Sequence, residues 1–287
     1  MSTPTIQWYP GHIAKAEKQL AKNLERVDLI IEVRDARIPL ATSHPHLQKW
    51  IKDKKHLLVI NRKDMINLKA LNQWDEWFRN NNQQPWWCNA KSGAGVKQIE
   101  EAAIRAGQSI NERRRSRGML DRPVRALTLG FPNVGKSALI NRLVRRKAVA
   151  SSRKAGVTRS LQWIRISKEL DLLDAPGVLP PRLDNQQSAL LLALCDDIGQ
   201  GAYDVEVVAI AFLEILLKLA VIDSAGVSLQ NLRKRYGIDL NGVNIDTHQW
   251  LLSAARIHTS SNTTRMAQRV LDDFRKTLLG LISLELP

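Results

Sequence analysis

The segment Gly130-Phe131-Pro132-Asn133-Val134-Gly135-Lys136-Ser137 constrains this chain more than any other stretch. It fits GxxxxGK[ST] and lies between an apolar run and a helical pattern. In that setting glycines let backbone N–H groups turn inward around phosphates, and the positive end of the following helix adds to the attraction. Lys136 is suited to neutralise β- and γ-phosphates, as a catalytic as well as a binding group, and Ser137 offers a hydroxyl to Mg²⁺. Asn133, Val134, Gly135 and Ala138 complete the phosphate-contacting residues. A loop of this kind belongs at the C-terminal end of a buried parallel strand, so the chain is expected to build an α/β sheet.

The surrounding pattern agrees. Apolar runs at Asp28–Val33, Leu57–Ile60 and Trp86–Cys88 each end in polar residues, as buried parallel strands do. Helical stretches at Asn67–Asn80 and Val96–Ile110 alternate with them. After a basic segment, Asn111–Arg122, the alternation resumes with strand Val124–Leu129, helix Lys136–Val144 and strands Leu161–Ile166 and Leu170–Leu173. From about Val205 the strand signals fade into helical ones. The expectation is a doubly wound, mostly parallel sheet over residues 1–182 and a smaller all-helical domain over 183–287.

Four further motifs extend the phosphate site. Asp174-Ala175-Pro176-Gly177 ends an apolar run about forty residues after the P-loop, a spacing at which Asp174 holds Mg²⁺ and the Gly177 N–H approaches the γ-phosphate. Thr158, in Gly156-Val157-Thr158, supplies a hydroxyl that can sense both metal and γ-phosphate. Asn61-Arg62-Lys63-Asp64 follows a strand, and its aspartate can accept hydrogen bonds from the N1–H and exocyclic amine that guanine has and adenine lacks. Asn89-Ala90-Lys91 after the next strand completes a base pocket.

Together these motifs resemble the TRAFAC GTPases, with the guanine-reading pair placed before the P-loop instead of after it: a circular permutation. Trp8-Tyr9-Pro10-Gly11-His12-Ile13-Ala14-Lys15-Ala16 and Asp35-Ala36-Arg37-Ile38-Pro39 are similar to signatures of the YlqF/RbgA family of ribosome biogenesis GTPases. The resemblance covers essentially the whole chain. It implies GTP hydrolysis to GDP, attachment to the maturing large ribosomal subunit and its rRNA through a helical C-terminal domain, and a monomer in the cytoplasm. Arg62 stands where the family has Lys, Asn89 where it has Ser, and Ala155 where Pro is often found. Val178 occupies the position at which Ras-like enzymes carry a water-orienting glutamine. The resemblance points to His12 as the catalytic replacement, and to Asn133 as a K⁺ ligand beside the phosphates.

The charge balance fits a polyanionic partner. Forty-three Lys and Arg against 28 Asp and Glu give a formal charge of +15. Basic residues cluster at Arg113–Arg115 with Arg117, Arg145–Lys147, Arg153–Lys154 and Arg233–Arg235, with Arg256, Arg265, Arg269 and Arg275 on the C-terminal helical stretches. For each, a solvated face or an internal salt bridge competes with an RNA contact. Cys88 and Cys195 are far apart and form no CxxC pair, which argues against a disulfide framework or zinc module and for buried free thiols. The most apolar stretch, Val205–Ile222, is interrupted by Glu206, Glu214 and Lys218, against a membrane span. An ATP-using P-loop enzyme, a GTP-gated RNA scaffold without turnover, and a permuted GTPase of the small subunit remain as alternatives.

Overall fold

The computed structural model describes residues 6, 23–52, 54–144, 162–175, 185–240 and 246–287. These residues form two compact units.

The first unit, within Tyr9–Lys63 and Trp77–Arg182, is built on a six-stranded sheet. Its strands are β1 (Leu29–Asp35), β2 (Lys55–Asn61), β3 (Pro85–Trp87), β4 (Val124–Leu129), β5 (Gln162–Arg165) and β6 (Leu170–Asp174), in the spatial order β3-β2-β1-β4-β6-β5. All pairings are parallel except β5 with β6. Every residue of β1 is buried, as expected of a central strand covered on both faces. Helices α1 (Leu47–Ile51), α2 (Leu68–Asn80), α3 (Val96–Arg115) and α4 (Lys136–Leu143) connect the strands.

Side-chain alternation along β4 separates the two faces. Leu127 and Leu129 pack with Leu47 and Trp50 of α1, together with Ile30 and Leu173. Val124, of opposite parity, meets α3 at Gly107, where a Cβ would lie 1.8 Å from Val124 Cγ2. Only a glycine allows that approach. Helix α3 also extends through Arg115, so the basic stretch expected as a linker from Asn111 begins as helix. Glu112 and the arginines are good helix formers, and three of those arginines lie in the last turn, where positive charge suits the helix dipole.

The second unit takes in Ile6, Asp64–Glu76 and the described part of Leu183–Pro287. Its C-terminal helices are α5 (Gln186–Leu194), α6 (Val205–Leu219), α7 (Leu229–Tyr236), α8 (Thr247–His258) and α9 (Thr263–Arg275). Each begins at a capping side chain: Asn185, Asp204, Ser228, Asp246 and Asn262 all accept backbone N–H groups of the first turn. Phe212 and Phe274 stack 4.8 Å apart in the core, and Tyr236 meets the Trp250 ring edge-on. Arg275 is buried and donates to the Ala193 and Leu194 carbonyls at the end of α5.

Asp64–Glu76 group with the C-terminal helices. Within that unit Asn67 Nδ2 donates to the Ser224 carbonyl, Lys69 pairs with Asp223, and Trp74 Nε1 donates to the Glu285 carbonyl. No helix among the described residues is long and apolar enough to cross a membrane. Cys88 and Cys195 are both buried and neither forms a disulfide.

Candidate nucleotide site

The phosphate loop leaves the C-terminal end of β4 and enters α4. Gly130 has φ +152° and Gly135 φ +101°; a Cβ on the first would meet the Val33 carbonyl at 2.3 Å, and on the second Asn61 Nδ2 at 2.1 Å. Both the backbone conformation and the close neighbours thus require glycine. Gly135 caps α4 without a side-chain bond, so no capping side chain competes with an anion there, unlike at the capped helices of the other unit. Lys136 is buried, and its Nζ donates to the Gly130 and Phe131 carbonyls at 3.1 and 2.7 Å. The ammonium is thereby held inside the curl of the loop. Ser137 and Ala138 follow in the first turn, half-buried.

Asp174 ends β6, buried and in register with Thr128 on β4. A carboxylate at that strand end and a hydroxyl on the first turn of α4 form an oxygen donor set of the kind Mg²⁺ takes, and the glycine-built curl fits a phosphate chain. His12, Thr158 and Gly177 lie outside the described residues, as do Ala155 and Val178.

On the other side of β1, Asn61 ties the site together. It is buried at the end of β2. Its Nδ2 donates to the Val134 carbonyl at 2.9 Å, and its Oδ1 accepts from the Ala90 N–H at 3.0 Å and from Cys88 Sγ. One side chain thus joins the P-loop to the turns that follow β2 and β3. Lys63 donates its N–H to the Cys88 carbonyl, and Asp64 is exposed in the short 3₁₀ turn Lys63–Met65. Asn89 Oδ1 accepts from the Lys91 and Ser92 N–H groups, forming an Asx turn that a serine's shorter side chain would make more weakly. Arg142 of α4 reaches the Lys91 and Ser92 carbonyls.

Sequence reasoning missed the buried ion network beside these turns. Arg62 directs its guanidinium to Asp35 and to the Asn133 carbonyl. Arg37 also grips Asp35. A second pair, Glu32 with Arg34, lies under Phe78, and His56 contacts the same glutamate. Burial raises the pKa of both carboxyls. Arg34, with hydrogen bonds from His56 and Arg34, outweighs this for Glu32; Arg37 and then Arg62 outweigh it for Asp35, leaving both below their ordinary values. The available signal was four charged residues within and just beyond one apolar strand, where burial demands pairing.

A family described as 50S ribosome-binding GTPase matches residues 125–235. Ribosome biogenesis GTPase A of Bacillus cereus is 37% identical over 212 residues, 73% of this chain and 72% of that protein. The chain belongs to the ribosome biogenesis GTPase A family. It is a GTPase, and the nucleotide it binds is a guanine nucleotide. The family's counterpart in Priestia megaterium is 35% identical over 74% of each chain. GNP-bound YlqF from T. maritima shares the fold, with a TM-score of 0.60 at 23% identity over 95% of this chain and 98% of that one. The family's permutation is written in the sheet. β2 and β3, which carry the guanine-reading turns, precede the P-loop strand in the chain but stand beside it through β1.

Proposed function

We propose that this GTPase is an assembly factor of the large ribosomal subunit, which attaches to the maturing particle in its GTP form and leaves after the subunit has stimulated hydrolysis. The observation that carries the reading is Asn61, which joins the phosphate loop to both base-reading turns in one fixed frame. Family membership supplies the ribosome, and the surplus of basic residues supports an rRNA partner.

In this reading Lys136 and the backbone of the P-loop neutralise and align the phosphates, and Asp64 selects guanine. Ser137, Thr158 and Asp174 hold Mg²⁺, which offsets charge on the β- and γ-phosphates. Asn133 holds K⁺, Gly177 senses the γ-phosphate, and His12 orients the attacking water. The protein acts as a cytoplasmic monomer.

The basic clusters divide in a way that narrows the RNA-facing surface. Arg275 serves α5, and Arg235 is engaged with Asp273, so neither is assigned to RNA. Arg256 and Arg265 are exposed, and Arg265 and Arg269 line an open cleft of ≈ 560 Å³ along α9 that Asp272 and Asp273 also line. These are the phosphate contacts we assign.

Competition and co-sedimentation test the reading together. Unlabelled GTP, and not ATP, should displace a fluorescent GDP, and large subunits should pellet more protein with a non-hydrolysable GTP analogue than with GDP. Equal displacement by ATP, or equal pelleting in both nucleotide states, would contradict it.

A further inference from the structure

The permuted sheet puts β1 between β2, which ends in the guanine-reading turn, and β4, which ends in the phosphate loop. Whatever leaves the end of β1 therefore lies beside both. The residue there is Asp35, completely buried. Oδ1 accepts from the Arg37 N–H at 2.9 Å and from Arg37 Nε at 3.0 Å; Oδ2 accepts from Arg37 at 2.8 Å and from Arg62 at 2.5 Å. The other arm of the Arg62 guanidinium donates to the Asn133 carbonyl at 2.5 Å. Arg62 and Asn133 both adopt positive φ, +62° and +58°. Such conformations are costly away from glycine and persist only where the surroundings enforce them.

We propose that Asp35 is a positioning residue for guanine-nucleotide binding: through Arg62 it locks the base-reading turn to the Asn133 carbonyl of the phosphate loop. The proposal rests on the assignment of these two turns as the nucleotide site. Asp35 acts through Arg62 and is not itself a nucleotide contact. Arginine at position 62 suits the link, because a planar fork can serve a carboxylate and a carbonyl at once, whereas a lysine is a point charge. Arg37 fixes the carboxylate in the orientation that faces Arg62. With the link in place, base and phosphates are held by one rigid frame and must be released together. Without it, Asn61 alone joins the two turns, and the nucleotide is held less tightly.

Stopped-flow dissociation of mant-GDP from the full chain tests this, using Asp35→Asn, Arg62→Met and the double variant. Arg62→Met keeps the aliphatic stem and removes only the fork, on a side chain that is partly exposed. Each single change should raise the dissociation rate about tenfold, the scale of one lost charge-assisted hydrogen bond. The double variant should be no faster than the faster single one, since both break the same link. Loss of folded protein would lower the signal amplitude and leave the rate alone, which separates positioning from stability. Unchanged dissociation in Arg62→Met, or single effects that multiply in the double variant, would overturn the proposal. Failure of the unaltered chain to bind mant-GDP would overturn the site assignment as well.

Discussion

Asp35 and Glu32 show how single residues set the behaviour of this unit. Both carboxyls have pKa values lowered by folding, so the stability they contribute is complete above the ordinary carboxylate range. It is lost as pH falls through that range towards the folded values. Urea midpoints should therefore hold steady from about pH 8 to about pH 6 and fall steeply from about pH 5 to about pH 3. Asp35→Asn should be less stable near neutrality, and its deficit should shrink as the pH drops. A deficit that stays constant across the acid range would contradict the assignment. The same residues mark the limit of what the sequence made legible at this scale. Lys136, Ser137 and Asn61 stand in motifs of fixed spacing, which the sequence displays directly. The Asp35–Arg62 pair is not displayed in this way, because its partners are 27 positions apart and meet only once β1 and β2 are in register.

Among the elements, strand and helix positions followed closely from apolar runs and caps. β4 occupies the stretch expected, Val124–Leu129, because a short, mostly apolar run flanked by Pro123 and Gly130 has little freedom in its ends. Helix α7 was harder to see. Its eight residues include three basic ones and only two buried positions, Leu232 and Tyr236, too few to show a period. The packing of α3 on β4 offers a direct test of an element contact. Gly107→Ala should gain up to about 1 kcal/mol of helix propensity and lose about 1–3 kcal/mol to overpacking against Val124, for a net loss of stability. Adding Val124→Ala should recover part of that loss in thermal unfolding, because it removes the methyl groups in the way. A single Gly107→Ala variant more stable than the parent would show that the two elements can separate at no cost.

At the scale of the whole molecule, the permuted order of motifs was legible because the P-loop and the guanine-reading turns each announce themselves. The division into units was only partly so. Asp64–Glu76 read as one more helix of the sheet, yet its bonds from Asn67, Lys69 and Trp74 tie it to residues more than 150 positions later. No local pattern encodes such partners. Two units are thus present, one built on the sheet that carries the P-loop and one of helices that carry exposed arginines. In the proposed function hydrolysis would join them, with a valine at position 178 leaving water positioning to other groups, so that intrinsic turnover would be slow. The most direct measurement is the rate of GTP hydrolysis in K⁺ buffer by the purified chain alone, with large ribosomal subunits, and with small subunits. The account predicts slow turnover alone, an increase of at least about tenfold with large subunits, and little change with small ones; His12→Ala should abolish the increase. Turnover indifferent to large subunits, or stimulated equally by small ones, would contradict it.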